Sequence, residues 1–204
     1  MFNLDASVGI VIPVYGSWDQ GMLDRAVGSA VNQTVPTSVI VSVQDTLHEA
    51  RNTGAKELSL GIPNLRWFVF LDADDELHPQ FVEKMLEGYG DIRQPMTMGI
   101  EDNVVNPDEV PVFIPPRPLS SGNFIVIGAL VNAEKFLSVG GFDDYPIYED
   151  WALWMKMVNA GSLLGRGEGV YIAHFDTGRA GRNSSMTQQE REYWLQTIRT
   201  IYNL

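Results

Sequence analysis

Residues 66–77 read RWFVFLDADDEL. In this stretch an apolar run is followed directly by four carboxylates within five positions. The stretch 66–71, apolar from Trp67 onward, is typical of a strand buried on both faces, the kind that parallel sheets contain. The carboxylates between Asp72 and Glu76 repel one another at close range, so a cation would stabilise them. Carboxylate oxygens suit Mg²⁺ or Mn²⁺. The simpler alternative is a solvated acidic turn before a helix that starts near Pro79.

Two further strand-like runs, 8–12 and 39–43, precede this stretch. Segments of helical spacing, 23–31 and 47–58, lie between the three runs. This alternation predicts an α/β fold with a mostly parallel central sheet and helices on both faces.

Polar side chains follow each of the three predicted strands. Tyr15 comes after the first, Asp45 after the second, and Asp72 and Asp74 after the third. Because ligands of parallel sheets bind outside the carboxyl ends of the strands, these side chains are expected to share one site.

The second half of the chain has weaker local signals. Residues 95–118 are rich in proline and predict an irregular loop with one or two short strands. We found no internal repeat or linker, so a single domain over 1–204 is expected. Its predicted parts are a nucleotide-binding half (about 1–94), an acceptor and catalytic half (about 95–187) and a C-terminal helix (about 188–204). The acceptor and catalytic half is expected to end in a strand over 169–175 and a polar loop over 176–187.

The composition excludes several classes of function. The 204 residues carry 14 basic and 26 acidic side chains, a net charge of -12, which disfavours a nucleic-acid partner. There is no cysteine, hence no disulfide and no thiolate metal site. No signal peptide or membrane-spanning run is recognisable, so a cytoplasmic location is expected. P-loop, dinucleotide-binding, nucleophile-elbow and HExxH motifs are absent.

Other candidate residues have both a structural and a functional interpretation. His174 ends the last predicted strand and would complete a metal shell if that strand lay beside the third one. Asp150, after Glu149, is either the N-cap of a helix or a general base. Arg51 either contacts a phosphate or a base, or pairs at the surface with an acid such as Glu49.

A polar loop near the end of the chain holds two arginines. Arg179 and Arg182 either close over a diphosphate or are solvated. The apolar stripe of the final helix suits packing on its own core or a homodimer interface.

Five sequence blocks in order resemble the family 2 type of glycosyltransferase with the GT-A fold. They span roughly residues 8–175, and the ordered set is specific where each block alone is weak. The blocks are Val11-Ile-Pro-Val-Tyr-Gly16 with Ala30-Val-Asn-Gln33, Ala50-Arg-Asn-Thr-Gly-Ala55, Phe70-Leu-Asp-Ala-Asp-Asp-Glu-Leu77, Gly128-Ala-Leu130 with Val139-Gly-Gly-Phe-Asp143, and Glu149-Asp-Trp-Ala-Leu-Trp154.

The resemblance implies a role for each matching position. Asp74 and His174 would bind Mn²⁺ or Mg²⁺, and Asp150 would be the catalytic base. The implied donor is a nucleotide sugar, by default a UDP-sugar, and the acceptor is a hydroxyl of a glycan, a protein or a small molecule, attacked with inversion. The implied nucleotide-binding residues are Pro13, Tyr15, Asp45, Arg51, Asp72 and Ala73.

The sequence also departs from the pattern of the family. Asp45 and Arg51 are only six positions apart, and Gln44 stands where an acid is common, so base binding would differ in detail. Two alternatives stay open: a catalytically silent nucleotide- or sugar-binding module of the same fold, and a nucleotidyltransferase. The latter would normally show a basic, glycine-rich loop after the first strand, which residues 13–19 do not provide.

Overall fold

The computed structural model describes residues 2–102, 104, 109–175 and 186–202. In these residues the chain forms seven β-strands: β1 (Val8–Val14), β2 (Thr37–Val43), β3 (Trp67–Phe70), β4 (Glu76–Leu77), β5 (Ile92–Glu101), β6 (Leu130–Asn132) and β7 (Leu164–Phe175). The same residues form six α-helices: α1 (Gln20–Val31), α2 (Leu47–Gly61), α3 (Phe81–Leu86), α4 (Ala133–Ser138), α5 (Glu149–Asn159) and α6 (Gln188–Ile201).

The strands form one mixed sheet in the order β2-β1-β3-β6-β5-β7-β4. β1 pairs in parallel with β2 and β3, and β5 pairs in parallel with β7, whereas β6 and β4 run antiparallel to their neighbours. From β1 the chain steps to one side for β2 and to the other for β3. Right-handed crossovers therefore place α1 and α2 on opposite faces of the sheet. The expected mostly parallel α/β sheet with helices on both faces is confirmed.

Local sequence explains why the first half folds as it does. All of β1 is buried, as its continuous apolar run requires. Asp19 caps α1 and Thr46 caps α2, each by accepting a helix backbone N–H. Gly54 lets α2 approach the sheet, since a Cβ there would lie 2.6 Å from Cγ1 of Val11.

Pro13 determines where the polar edge begins. The N–H of Leu71 donates to the carbonyl of Val11 at 2.9 Å, and the next bond of the ladder would need an N–H from Pro13. Proline has none, so the pairing of β1 with β3 ends and the chain leaves the sheet at Asp72.

The expectation of an irregular loop with one or two short strands over 95–118 is wrong for its first part, which belongs to a long strand. β5 is a ten-residue strand that runs to Glu101 and pairs with β7 over most of its length. Pro95 lies at a register shift between Gln94 and Met96, and a bulge is a position where a strand tolerates proline.

The last strand does not lie beside β3, the position that the metal hypothesis for His174 required. β7 is longer than the expected 169–175 and neighbours β5 and β4 instead of β3. The two-residue strand β4, which has no sequence signal of its own, links the acidic turn to β7 through the pair Glu76–Ile172.

The C-terminal helix α6 packs on the rest of the chain. Ile198 is fully buried, Trp194 lies edge-on to Tyr145 with ring centroids 5.9 Å apart, and the Tyr202 hydroxyl donates to Asp143. Self-packing thus accounts for part of its apolar stripe, and the homodimer stays a prediction. Among the described helices, none has the length and apolar character to cross a membrane.

Candidate functional site

The carboxyl ends of β1, β2 and β3 form one edge of the sheet, as the strand register requires. Val14 pairs with Val43, so Tyr15 and Asp45 both follow immediately beyond the pairing. Tyr15 is 37% exposed, Asp45 is exposed, and Pro13 is buried in β1 beneath them. Asp72 follows Leu71 on the other side of β1. The predicted site residues of the first half therefore lie at a common edge.

The acidic turn at this edge is held from β7. Asp75 accepts hydrogen bonds from the Tyr171 hydroxyl at 2.6 Å and from the His174 backbone N–H at 2.8 Å. Burial, reinforced by the charge of Asp72, raises the pKa of Asp75 to about 8. Asp75 therefore fixes the shape of the turn, and Asp72, Ala73 and Asp74 remain half-buried at its start.

The His174 imidazole reaches the far end of the same turn. Its Nε2 lies 2.7 Å from Oε1 of Glu76, and the same oxygen forms an ion pair with Nε of Arg25 at 3.3 Å. Its Nδ1 is buried, with no hydrogen-bond partner among the described residues. The structure thus joins His174 to the acidic turn through β4, a route that the sequence did not indicate.

Arg51 lies at the centre of the site and is not a surface residue. Only 2% of its side chain is exposed, and its guanidinium donates to Oδ1 of Asp72 at 2.8 Å and to Oε1 of Glu149 at 2.7 Å. The guanidinium also lies over the Phe142 ring at 5.0 Å. The alternative of surface pairing with Glu49 is wrong. Arg51 instead connects α2, the end of β3 and the first turn of α5.

Asp150 lies in the first turn of α5, next to Glu149. Tyr148 is the N-cap residue, in a left-handed conformation and without a side-chain cap bond, so the N-cap interpretation of Asp150 is wrong. Oδ1 of Asp150 accepts from the Trp151 N–H at 2.7 Å, and Oδ2 accepts from Asn123 at 2.7 Å. Burial, followed by the charge of Glu149, raises the pKa of Asp150 to about 7. A carboxyl group with a pKa near neutral suits proton transfer.

Two further residues of the site escaped the sequence reasoning. Tyr171 supports Asp75 from β7, and Asn123 contacts Asp150 from the segment between β5 and β6. Neither stands in a recognisable motif. The sequence signal for Tyr171 was its position between Val170 and Ile172 in a strand, where a buried hydroxyl needs a partner.

The donor set of the acidic turn fits a divalent cation shared with a substrate. In 2–102, 104, 109–175 and 186–202, no group of three or more His, Cys, Asp or Glu side chains is arranged to hold a metal by itself. Mg²⁺ is commonly held by one or two carboxylates plus substrate phosphates, so a complete protein cage is not required. Burial, with the charge of Asp74 in addition, raises the pKa of Asp72 against the pull of Arg51. A cation would relieve that crowding of negative charge.

Arg179 and Arg182, proposed to close over a diphosphate, lie outside the described residues.

Comparison with known proteins supports the fold through structure alone. The sequence matches no protein-family model and no curated protein. S. aureus TarS 1-349 in complex with UDP-GlcNAc superposes with a TM-score of 0.66 and 15% identity, covering 97% of this chain and 66% of TarS 1-349. The same protein in complex with UDP gives a TM-score of 0.62 and 14% identity, covering 97% of this chain and 65% of the other.

A second similar structure is GalNAc-T7 with UDP, GalNAc and Mn²⁺. It gives a TM-score of 0.58 and 13% identity, covering 97% of this chain and 54% of GalNAc-T7. This chain therefore spans between about half and two thirds of the structures that it resembles. The fold is that of the GT-A glycosyltransferases, as the five sequence blocks implied.

Proposed function

We propose that this chain binds a nucleoside-diphosphate sugar, with UDP as the nucleotide, and transfers the sugar to a hydroxyl of an acceptor. The observation that carries the proposal is that Arg51 joins the acidic turn to the Glu149–Asp150 pair. Its guanidinium binds Asp72 of the acidic turn, on the proposed donor side, and Glu149, the neighbour of Asp150, on the proposed acceptor side. The same positively charged side chain therefore links the two sides of the proposed site. The similar structures hold UDP or UDP-GlcNAc in the same fold.

The residues divide the reaction between them. Asp74, with Asp72, would hold a divalent cation, which as a Lewis acid would stabilise negative charge on the departing diphosphate. In this proposal Tyr15 and Asp45, which follow the ends of β1 and β2, would contact the nucleoside, and Arg51 orients Asp72 by donating a hydrogen bond to it. Mn²⁺ accompanies UDP in the GalNAc-T7 structure, which supports use of a metal in this fold.

Asp150 acts as the base in this proposal. Its carboxylate accepts the proton of the acceptor hydroxyl while that oxygen attacks the anomeric carbon. The bond from the anomeric carbon to the diphosphate oxygen breaks in the same step, and the electron pair leaves with the nucleoside diphosphate. A single displacement of this kind inverts the anomeric configuration.

The first test is calorimetric titration with UDP, GDP and dTDP, each with and without Mn²⁺. We expect Mn²⁺-dependent binding of UDP that Asp74→Ala abolishes. The matched control is Asp5→Ala, because Asp5 precedes β1 and so lies at the opposite edge of the sheet. If no nucleotide binds to the folded protein under either condition, the transferase proposal fails and a silent module becomes the better account.

The second test separates chemistry from binding. Release of UDP from UDP-GlcNAc is measured for the wild type and for Asp150→Asn. The loss of a general base lowers kcat by roughly 10²–10⁴-fold. The affinity for UDP should not change, because Asp150 lies on the acceptor side of Arg51. Equal rates in the two proteins would exclude Asp150 as the base.

A further inference from the structure

The side-chain amide of Asn123 reaches Asp150 from outside its own helix. Asn123 follows a short turn of 3-10 helix at 119–121, in the long connection between β5 and β6. Its Nδ2 donates to Oδ2 of Asp150 at 2.7 Å. The two residues are 27 positions apart, so this contact exists only because the connection folds back over the start of α5.

The orientation of this amide follows from its second bond. Oδ1 of Asn123 accepts from the Ile125 backbone N–H at 3.1 Å. The oxygen is therefore committed to the local turn, and the NH₂ group must face the carboxylate. A donor in that position stabilises the charged form of Asp150 and not its protonated form.

The loop that carries Asn123 is anchored on both sides by indoles of α5. Nε1 of Trp151 donates to the Leu119 carbonyl at 2.9 Å, and Nε1 of Trp154 donates to the Ile125 carbonyl at 3.3 Å. Both tryptophans are almost fully buried. Because the loop is fixed before and after Asn123, its amide is held in place and is not a mobile surface group.

We propose that Asn123 is a positioning residue for the base: it orients the Asp150 carboxylate and favours its ionised form. With Oδ1 bound by the Trp151 N–H and Oδ2 by Asn123, the carboxylate has a fixed orientation, and its remaining lone pairs are left for an acceptor hydroxyl. This inference rests on the proposed role of Asp150 in transfer. It assigns Asn123, which no motif marks, to the reaction.

The other charges around Asp150 act in opposite directions. Glu149, on the same helix, opposes ionisation, and Arg51, on α2, favours it. From the loop side, Arg117 contacts the backbone carbonyl of Asn123 and contributes positive charge there. The Asn123 amide adds to the groups that favour the carboxylate, so its removal should raise the pKa of Asp150 above its value of about 7.

The test is a carboxyl ¹³C NMR titration of the whole chain labelled at aspartate, with the Asp150 signal assigned by its absence in Asp150→Asn. Asn123→Ala should move the Asp150 midpoint upward by about one pH unit, because the charged carboxylate loses a hydrogen bond that solvent replaces only in part. Ser121→Ala is the matched control. Within the described part of the chain its hydroxyl donates to the Pro118 carbonyl of the same loop and makes no bond to Asp150, so the midpoint should not move.

A second variant separates the turn from the contact. In Asn123→Ser the hydroxyl can still accept the Ile125 N–H but is too short to reach Asp150. A positioning role predicts the same upward shift as in Asn123→Ala, together with a lower kcat and an unchanged KM for UDP-GlcNAc. Midpoints in Asn123→Ser and Asn123→Ala equal to that of the wild type would overturn the inference.

The two proposals fail separately. The NMR midpoint needs neither donor nor acceptor, so an unchanged midpoint counts against Asn123 alone. Absence of UDP binding in the calorimetric titration counts against the transferase proposal alone.

Discussion

Replacement of Arg51 by methionine tests whether the stability of the site depends on the buried guanidinium of that residue. Methionine keeps a comparable apolar stem but leaves Asp72 and Glu149 without the guanidinium that both now contact, at 2.8 and 2.7 Å. Removal of one partner from a buried ion pair costs roughly 3–5 kcal/mol, because the remaining charge is uncompensated. Glu149 is 8% exposed, so water replaces little of the lost interaction there. We expect the free energy of unfolding to fall by about that amount.

Urea denaturation at neutral pH, followed by tryptophan fluorescence and circular dichroism, measures the change. Lys84→Met is the matched control, because it breaks an ion pair of similar length, 3.0 Å to Glu87, at the surface. Solvent screens such a pair, and we expect no measurable loss of stability. The double variant Arg51→Met/Glu149→Gln should recover part of the loss, since it removes one of the stranded charges.

One result would refute this reasoning. If Arg51→Met lowers the stability no more than Lys84→Met does, Arg51 is not the electrostatic link between the two halves of the site. A loss of stability that Glu149→Gln does not reduce at all would assign the effect to packing against the Phe142 ring instead.

Two further predictions concern protonation and close packing. The raised pKa of Asp150, about 7, means that the folded chain holds a proton that the unfolded chain releases, so stability falls as the pH rises towards 7. Asp150→Asn should remove this contribution, while the similar contribution of Asp75, whose pKa is raised to about 8, remains. In urea titrations at a series of pH values, the variant should become more stable than the wild type by up to about 3 kcal/mol between pH 5 and 8. Stability curves that run parallel with pH would contradict the raised pKa of Asp150. Gly54→Ala places a Cβ 2.6 Å from Val11 and should cost about 1–3 kcal/mol, whereas Gly28→Ala, with nothing within 4 Å, should stabilise α1 by up to about 1 kcal/mol. Equal melting temperatures for the two glycine variants would refute the packing argument.

The first half of the fold was predictable because its signals are local. Continuous apolar runs identify β1, β2 and β3, and helical spacing identifies α1 and α2, each within about a dozen residues of sequence. The placement of Tyr15, Asp45 and Asp72 at one edge then follows from the general geometry of parallel sheets.

The second half was less predictable because tertiary contacts override its local signals. β5 contains Pro95 and lies at the start of a proline-rich segment, and only its pairing with β7 and the bulge at Gln94–Met96 make it a strand. β4 has two residues and exists because β7 lies beside it. Its existence in turn decides that His174 reaches the acidic turn.

In the candidate site, too, the residues could be predicted from local sequence, whereas their contacts depend on residues far apart in the sequence. The residue types of the acidic turn and of Glu149–Asp150 could be read from their blocks, but the bonds between them could not. Arg51 lies 21 positions from Asp72 and 98 from Glu149, so its burial is invisible to any local pattern.

The bonds of Arg51 also limit how it can serve a nucleotide. Had the guanidinium turned outward to contact a phosphate or a base, the half-buried Asp72 and the buried Glu149 would each have lost a charged partner. That loss would cost several kcal/mol, more than a single new contact to a ligand typically returns. We therefore expect Arg51 to act on the donor through Asp72, whose carboxylate it orients, and on the acceptor side through Glu149 and the first turn of α5. A substitution at Arg51 should then weaken both nucleotide affinity and turnover, whereas Asp74→Ala should affect nucleotide affinity first.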